Sequence, residues 1–144
     1  MTMRHWQIGL AISLATLGIC PRPCAGQTAP SDSAARDAVL GCAVRLAQAA
    51  GFQPLPHQPP GRVALQRESK GPGPTRILDG LRITVAPPDS AGSIVAVVRV
   101  GSFVVSRSTG LPQSVLKPRA SLVALADSLP RHCRWRRGQA LPSL

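Results

Sequence analysis

The seven residues Arg131-His132-Cys133-Arg134-Trp135-Arg136-Arg137, RHCRWRR, gather four arginines, a tryptophan, a histidine and a cysteine near the C-terminus. Guanidinium groups grip phosphate and carboxylate in bidentate fashion, and an indole beside them suits the boundary of an anionic lipid layer. Arg131, Arg134, Trp135, Arg136 and Arg137 are therefore the candidate anion-binding residues, with lipid headgroups or lipopolysaccharide as partners. The stretch also has a structural reading. Arginines just past a helix C-terminus complement its dipole, and Trp135 covers a disulfide made by Cys133.

Other chemistry is poorly supplied. A phosphate-cradling loop needs Gly-x-x-x-x-Gly-Lys-Ser/Thr, whereas Gly71-Pro72-Gly73-Pro74 lacks the lysine and gives up two amide donors to proline. The nucleophile elbow Gly-x-Ser-x-Gly and the dinucleotide fingerprint are absent. His57, His132, Cys42 and Cys133 form no Cys-x-x-Cys or His-x-x-x-His pair, and adjacent His132 and Cys133 chelate badly. No catalytic residue, metal ligand or cofactor is assigned. The carboxylates are Asp32, Asp37, Glu68, Asp79, Asp89 and Asp127. Asp32 and Asp37 lie near a helix start, where the dipole favours them. Asp79-Gly80 and Asp89 read as turns, and Glu68 and Asp127 have no evident partner. The alternative to a non-catalytic protein is a small hydrolase using His57 or His132 with Asp79 or Asp127.

The 144-residue chain carries 17 basic and 6 acidic residues, a net charge of +11, which favours anionic partners. Only Lys70 and Lys117 are lysines. Arginine in this excess fits either phosphate recognition or a GC-rich genome. Past the first 26 residues the only aromatic rings are Phe52, Phe103 and Trp135, too few for the stacking platforms of single-stranded nucleic-acid binders. At 44% hydrophobic residues the chain is too apolar to be a disordered basic tail.

Residues 1–26 read as a secretory signal. Arg4 supplies the basic n-region and Trp6–Ile19, WQIGLAISLATLGI, an uncharged h-region. That run is shorter than the about 20 residues a bilayer core requires, which weighs against an uncleaved anchor. Cys24-Ala25-Gly26 fits a cleavage site best, with cuts after Ala25 or near Ala29 as alternatives. Leu17-Gly18-Ile19-Cys20 resembles a lipoprotein box, but bulky Ile19 sits where a small residue belongs. A cut after Gly26 removes Cys20 and Cys24 and leaves Cys42 and Cys133. In an exported chain an even pair is most simply a disulfide. The expected location is periplasmic or extracellular.

Between the cysteines lie the elements that must position these residues. Residues 27–33 are a polar lead-in with Ser31, Asp32 or Ser33 as helix N-cap. A single domain spans 34–137, and 138–144 form a flexible C-terminal tail. The first helix, AARDAVLGCAVRLAQAAG, carries an apolar stripe of Val39, Ala43, Leu46, Ala47 and Ala50 and stops at Gly51. Residues 52–61 are a proline-rich loop. Period-two alternation then marks strands around Val63 and Leu65, around Leu81, Ile83 and Val85, and along IVAVVRVGSFVVSR, Ile94 to Arg107, the longest, with Ile94, Ala96, Val98 and Val100 on one face. Gly101 marks a bulge or a turn before Phe103 and Val105. A second helix carries Pro118 in its first turn, buries Leu122, Leu125, Ala126 and Leu129, and ends at Pro130. The expected fold class is α+β: helix, three or four antiparallel strands, helix, with both helices on one face of the sheet and joined by Cys42–Cys133. No internal repeat is present. The expected function is that of a small exported binding or accessory protein of the bacterial-type envelope, associating with anionic surfaces through its basic C-terminus.

Overall fold

The computed structural model describes residues 29–142; the expected signal at 1–26, with Cys20 and Cys24, lies outside the described residues. Helix α1 spans Asp32–Ala49. Ser31 is its cap, its hydroxyl accepting the Ala34 N–H at 3.2 Å, which satisfies one of the free donors at the helix start. Ala35, Val39, Ala43 and Ala47 recur every four residues and are buried. Leu46, expected in the stripe, is instead 39% exposed. Gly51, at φ 87°, takes the left-handed conformation that ends the helix.

The chain continues through β1 (Gln53–Pro54), β2 (Arg62–Lys70), β3 (Thr75–Val85), β4 (Ser93–Ser106), β5 (Pro112–Leu116), α2 (Ala120–His132) and β6 (Arg134–Arg136). Strands β1 to β5 pair in chain order, all antiparallel. β5 and β6 share one edge of β4. β5 takes its second half, Ser102–Val105, and β6 its first, Ser93–Val95.

The sheet thus has six strands rather than three or four. β1 hides in the proline-rich stretch, β5 is exposed along nearly its whole length, and β6 is only three residues long. Asp79-Gly80 is not a turn but the middle of β3, where Asp79 pairs with Arg67 on one side and Ser102 on the other. Gly101 causes no break, since β4 runs unbroken from Ser93 to Ser106. The irregularity lies at Val104/Val105, against β5. Helix α2 starts after an extended Arg119, two residues beyond Pro118. Pro130 lies inside it. A proline in the final turn removes one hydrogen bond, and the turn still closes through the Cys133 N–H to the Leu129 carbonyl at 2.8 Å.

One core holds the fold together. Val39 and Ala43 of α1, Leu122 and Leu129 of α2, Leu65, Leu81, Ile83 and Ile94 of the sheet, and Trp135 all belong to it. Both helices therefore cover the same face of the sheet. Cys42 of α1 is bonded to Cys133 at the end of α2, with S–S 2.03 Å and Cα–Cα 5.6 Å. Among the described residues no helix is long and apolar enough to cross a membrane.

Candidate functional site: the helix-free sheet face

RHCRWRR divides between layers. Trp135 is 1% exposed and packs in the core beside Cys133, its indole N–H donating to the Gln139 carbonyl at 2.9 Å. It offers no ring to an interface. Its strand neighbours Arg134 and Arg136 are exposed. Side chains alternate across a strand, so both point away from the helices. Arg131 is exposed on α2 and donates to the Asp127 carbonyl at 3.1 Å. Arg137 makes a loose ion pair with Asp32 at 3.5 Å. The five candidates form no single cluster.

The same alternation along β2, β3 and β4 assembles a larger surface. Val63 and Leu65, Leu81 and Ile83, and Ile94 and Ala96 face the helices. The intervening residues lie on the opposite face, which no described element covers. They include Arg62 and Lys70 of β2, Arg76 and Arg82 of β3, and Arg99 of β4. With Arg134 and Arg136 of β6 that makes seven cations on this face against one acid, Glu68, so more than half of the chain's +11 sits here. Glu68 is engaged by Arg76 at 3.1 Å.

Arg82 and Arg99 are directly opposed across β3 and β4, and both are exposed. Among the described residues neither has a hydrogen-bond or ion-pair partner. Like charges facing each other across a strand pair repel and cost stability. Two residues along the strands, Gly80 opposes Gly101, and two residues further Leu78, Phe103 and Val115 form an apolar row across β3, β4 and β5. Phe103 is 37% exposed and Val115 76%. Over the glycines lies an open hollow of about 400 Å³, walled by Leu55, Gln66, Leu78, Arg82, Arg99 and Phe103.

The opposite face holds a buried polar row that is structural. The Ser102 hydroxyl donates to Asp79 at 2.7 Å. Arg67 donates to the other carboxylate oxygen of Asp79 at 3.3 Å and to the Ala50 carbonyl at 3.1 Å. The Arg67 guanidinium also lies 4.7 Å from the Phe52 ring centroid. Both carboxylate oxygens of the fully buried Asp79 are thereby answered, as a buried charge requires, and among the described residues no imidazole bonds Ser102 to activate it. His132 bonds the Ser128 carbonyl at 2.8 Å. His57, at φ 56° in the β1–β2 loop, is exposed and without a partner among the described residues. Neither histidine meets a carboxylate. Among the described residues no three His, Cys, Asp or Glu side chains converge as a metal site would need.

Sequence reading singled out the C-terminal arginines and missed Arg62, Arg82 and Arg99. Their signal was present as the polar half of the alternation whose apolar half marked the strands. No protein-family model, curated protein or solved structure matches the chain.

Proposed function

We propose that the protein is an exported, non-catalytic binding module that docks its helix-free sheet face on the anionic lipid headgroups of the envelope. The observation that carries this reading is the opposed pair Arg82 and Arg99, without a partner among the described residues, in a face of seven cations and one acid. A repulsive pair is relieved when an anion bridges it, and arginine is suited to do so through two parallel N–H donors. The apolar row of Leu78, Phe103 and Val115 on the same face favours lipid over nucleic acid. Of the described Phe and Trp rings only Phe103 is exposed, because Phe52 and Trp135 are buried, which leaves too few rings for a base-stacking platform. A small hydrolase, the alternative, has no histidine–carboxylate contact among the described residues to favour it.

Vesicle co-sedimentation tests the proposal. Each arginine near an anionic surface contributes about 1 kcal/mol, so Arg82→Gln/Arg99→Gln should weaken binding to phosphatidylglycerol-containing vesicles by about 2 kcal/mol, roughly 25-fold. Unaltered binding by the double variant would refute it.

A further inference from the structure

We infer that the hollow over Gly80 seats one single-chain amphiphilic anion, its phosphate or carboxylate head between Arg82 and Arg99 and its alkyl chain over the Gly80–Gly101 floor toward Leu78 and Phe103. This rests on the reading of the face as a lipid-binding surface and adds to it a discrete site for an individual molecule.

Gly80 is the point of departure. Glycine in mid-strand weakens the strand and marks a bulge or a close approach by a ligand or another backbone. No bulge occurs here, since the β2–β3 and β3–β4 registers run unbroken through Gly80. Nor does the backbone demand glycine, because Gly80 is not among the residues with positive φ. A Cβ at Gly80 would meet only the Gly101 carbonyl oxygen, at an ordinary 3.7 Å. The space above it is open. Gly101 differs: a Cβ there would come within 3.2 Å of the Phe103 ring, so Phe103 leans over its own strand and walls the hollow on that side.

The rest of the lining is graded in polarity. Ala64 pairs with Arg82, and the Leu55 N–H bonds the Ala64 carbonyl at 2.9 Å, which sets Leu55 at the outer rim. Leu78 and Phe103 close the end away from the arginines. Cationic at one end, apolar at the other and small-floored between, a volume of about 400 Å³ lies in the range of small-ligand sites. An inorganic anion would use only the arginine end, and a neutral hydrocarbon only the other.

The test is a titration of the folded, disulfide-bonded protein with dodecyl phosphate below its micelle concentration, with inorganic phosphate as the comparison, read from the amide resonances of Gly80, Arg82, Arg99 and Gly101. Dodecyl phosphate should bind at least tenfold more tightly than inorganic phosphate. Gly80→Leu, or Ala64→Leu as an independent way of crowding the hollow, should abolish that preference while the amide spectrum outside the hollow shows the fold unchanged. A preference that survives both filled variants, with vesicle binding intact, overturns this site alone. Vesicle binding indifferent to Arg82→Gln/Arg99→Gln overturns the surface reading beneath it.

Discussion

Reducing the Cys42–Cys133 bond should remove a large share of the fold's stability, and the size of the loss follows from the loop it closes. The two cysteines are 91 residues apart. In the chain-entropy treatment a loop of that length restricts the unfolded chain by about 4.6 kcal/mol at 25 °C, a ceiling for the effect. Domains in this size range are stable by about 5–15 kcal/mol in total and lose about 4 °C of Tm for each kcal/mol. Circular dichroism melts of Cys42→Ala/Cys133→Ala, and of the wild type with reductant, should therefore both show Tm lowered by about 15–20 °C. Hydrogen exchange should rise first at Ser93 and Val95, which pair with β6 just beyond Cys133. A reduced protein melting within about 3 °C of the oxidised one would refute the reasoning, since the helical layer would then stay docked without its staple.

Trp135→Ala empties a fully buried site and should cost about 3–5 kcal/mol in urea denaturation. Trp135→Phe, which forfeits only the bond to Gln139 and some packing, should cost about 1 kcal/mol. Asp79→Ala leaves the half-buried Arg67 guanidinium and the Ser102 hydroxyl without their carboxylate, an expected loss of about 2–4 kcal/mol in the same assay. Arg134→Gln/Arg136→Gln should weaken anionic-vesicle binding by about 1–2 kcal/mol at low salt and move Tm negligibly, both residues being exposed. Arg131→Gln, on the helical side, should leave vesicle binding unchanged.

The parts of the fold legible in the sequence were those with one apolar and one polar face. Helix α1 and the cores of β2, β3 and β4 announced themselves because Val63, Leu65, Leu81, Ile83, Ile94 and Ala96 must be hidden while their neighbours stay wet. The cysteine pairing was legible by count, since the expected export signal leaves Cys42 and Cys133 as an even pair. β5 has no hidden face, with Val115 76% exposed, so it carried no alternation to read. β6 did carry one, Arg134-Trp135-Arg136, but its charges drew attention away from a strand only three residues long. The candidate site was less legible for a different reason. The opposition of Gly80 to Gly101 and of Arg82 to Arg99 exists only once the β3–β4 register is known, and residues 17 to 21 positions apart reveal no register to a linear reading. Asp79-Gly80 shows the hazard of local rules. The pair has turn chemistry, yet its burial against Arg67 and Ser102 makes it the centre of a strand.

The proposed docking of the helix-free face on anionic lipid is tested most directly by nuclear magnetic resonance of the protein with phosphatidylglycerol-containing vesicles carrying nitroxide-labelled headgroups. Broadening should be strongest at the amides of Gly80, Arg82, Arg99 and Phe103 and weakest at those of Leu46 in α1 and Val123 in α2. Broadening greatest on the helices, or absent throughout at low salt, would contradict docking through the helix-free face.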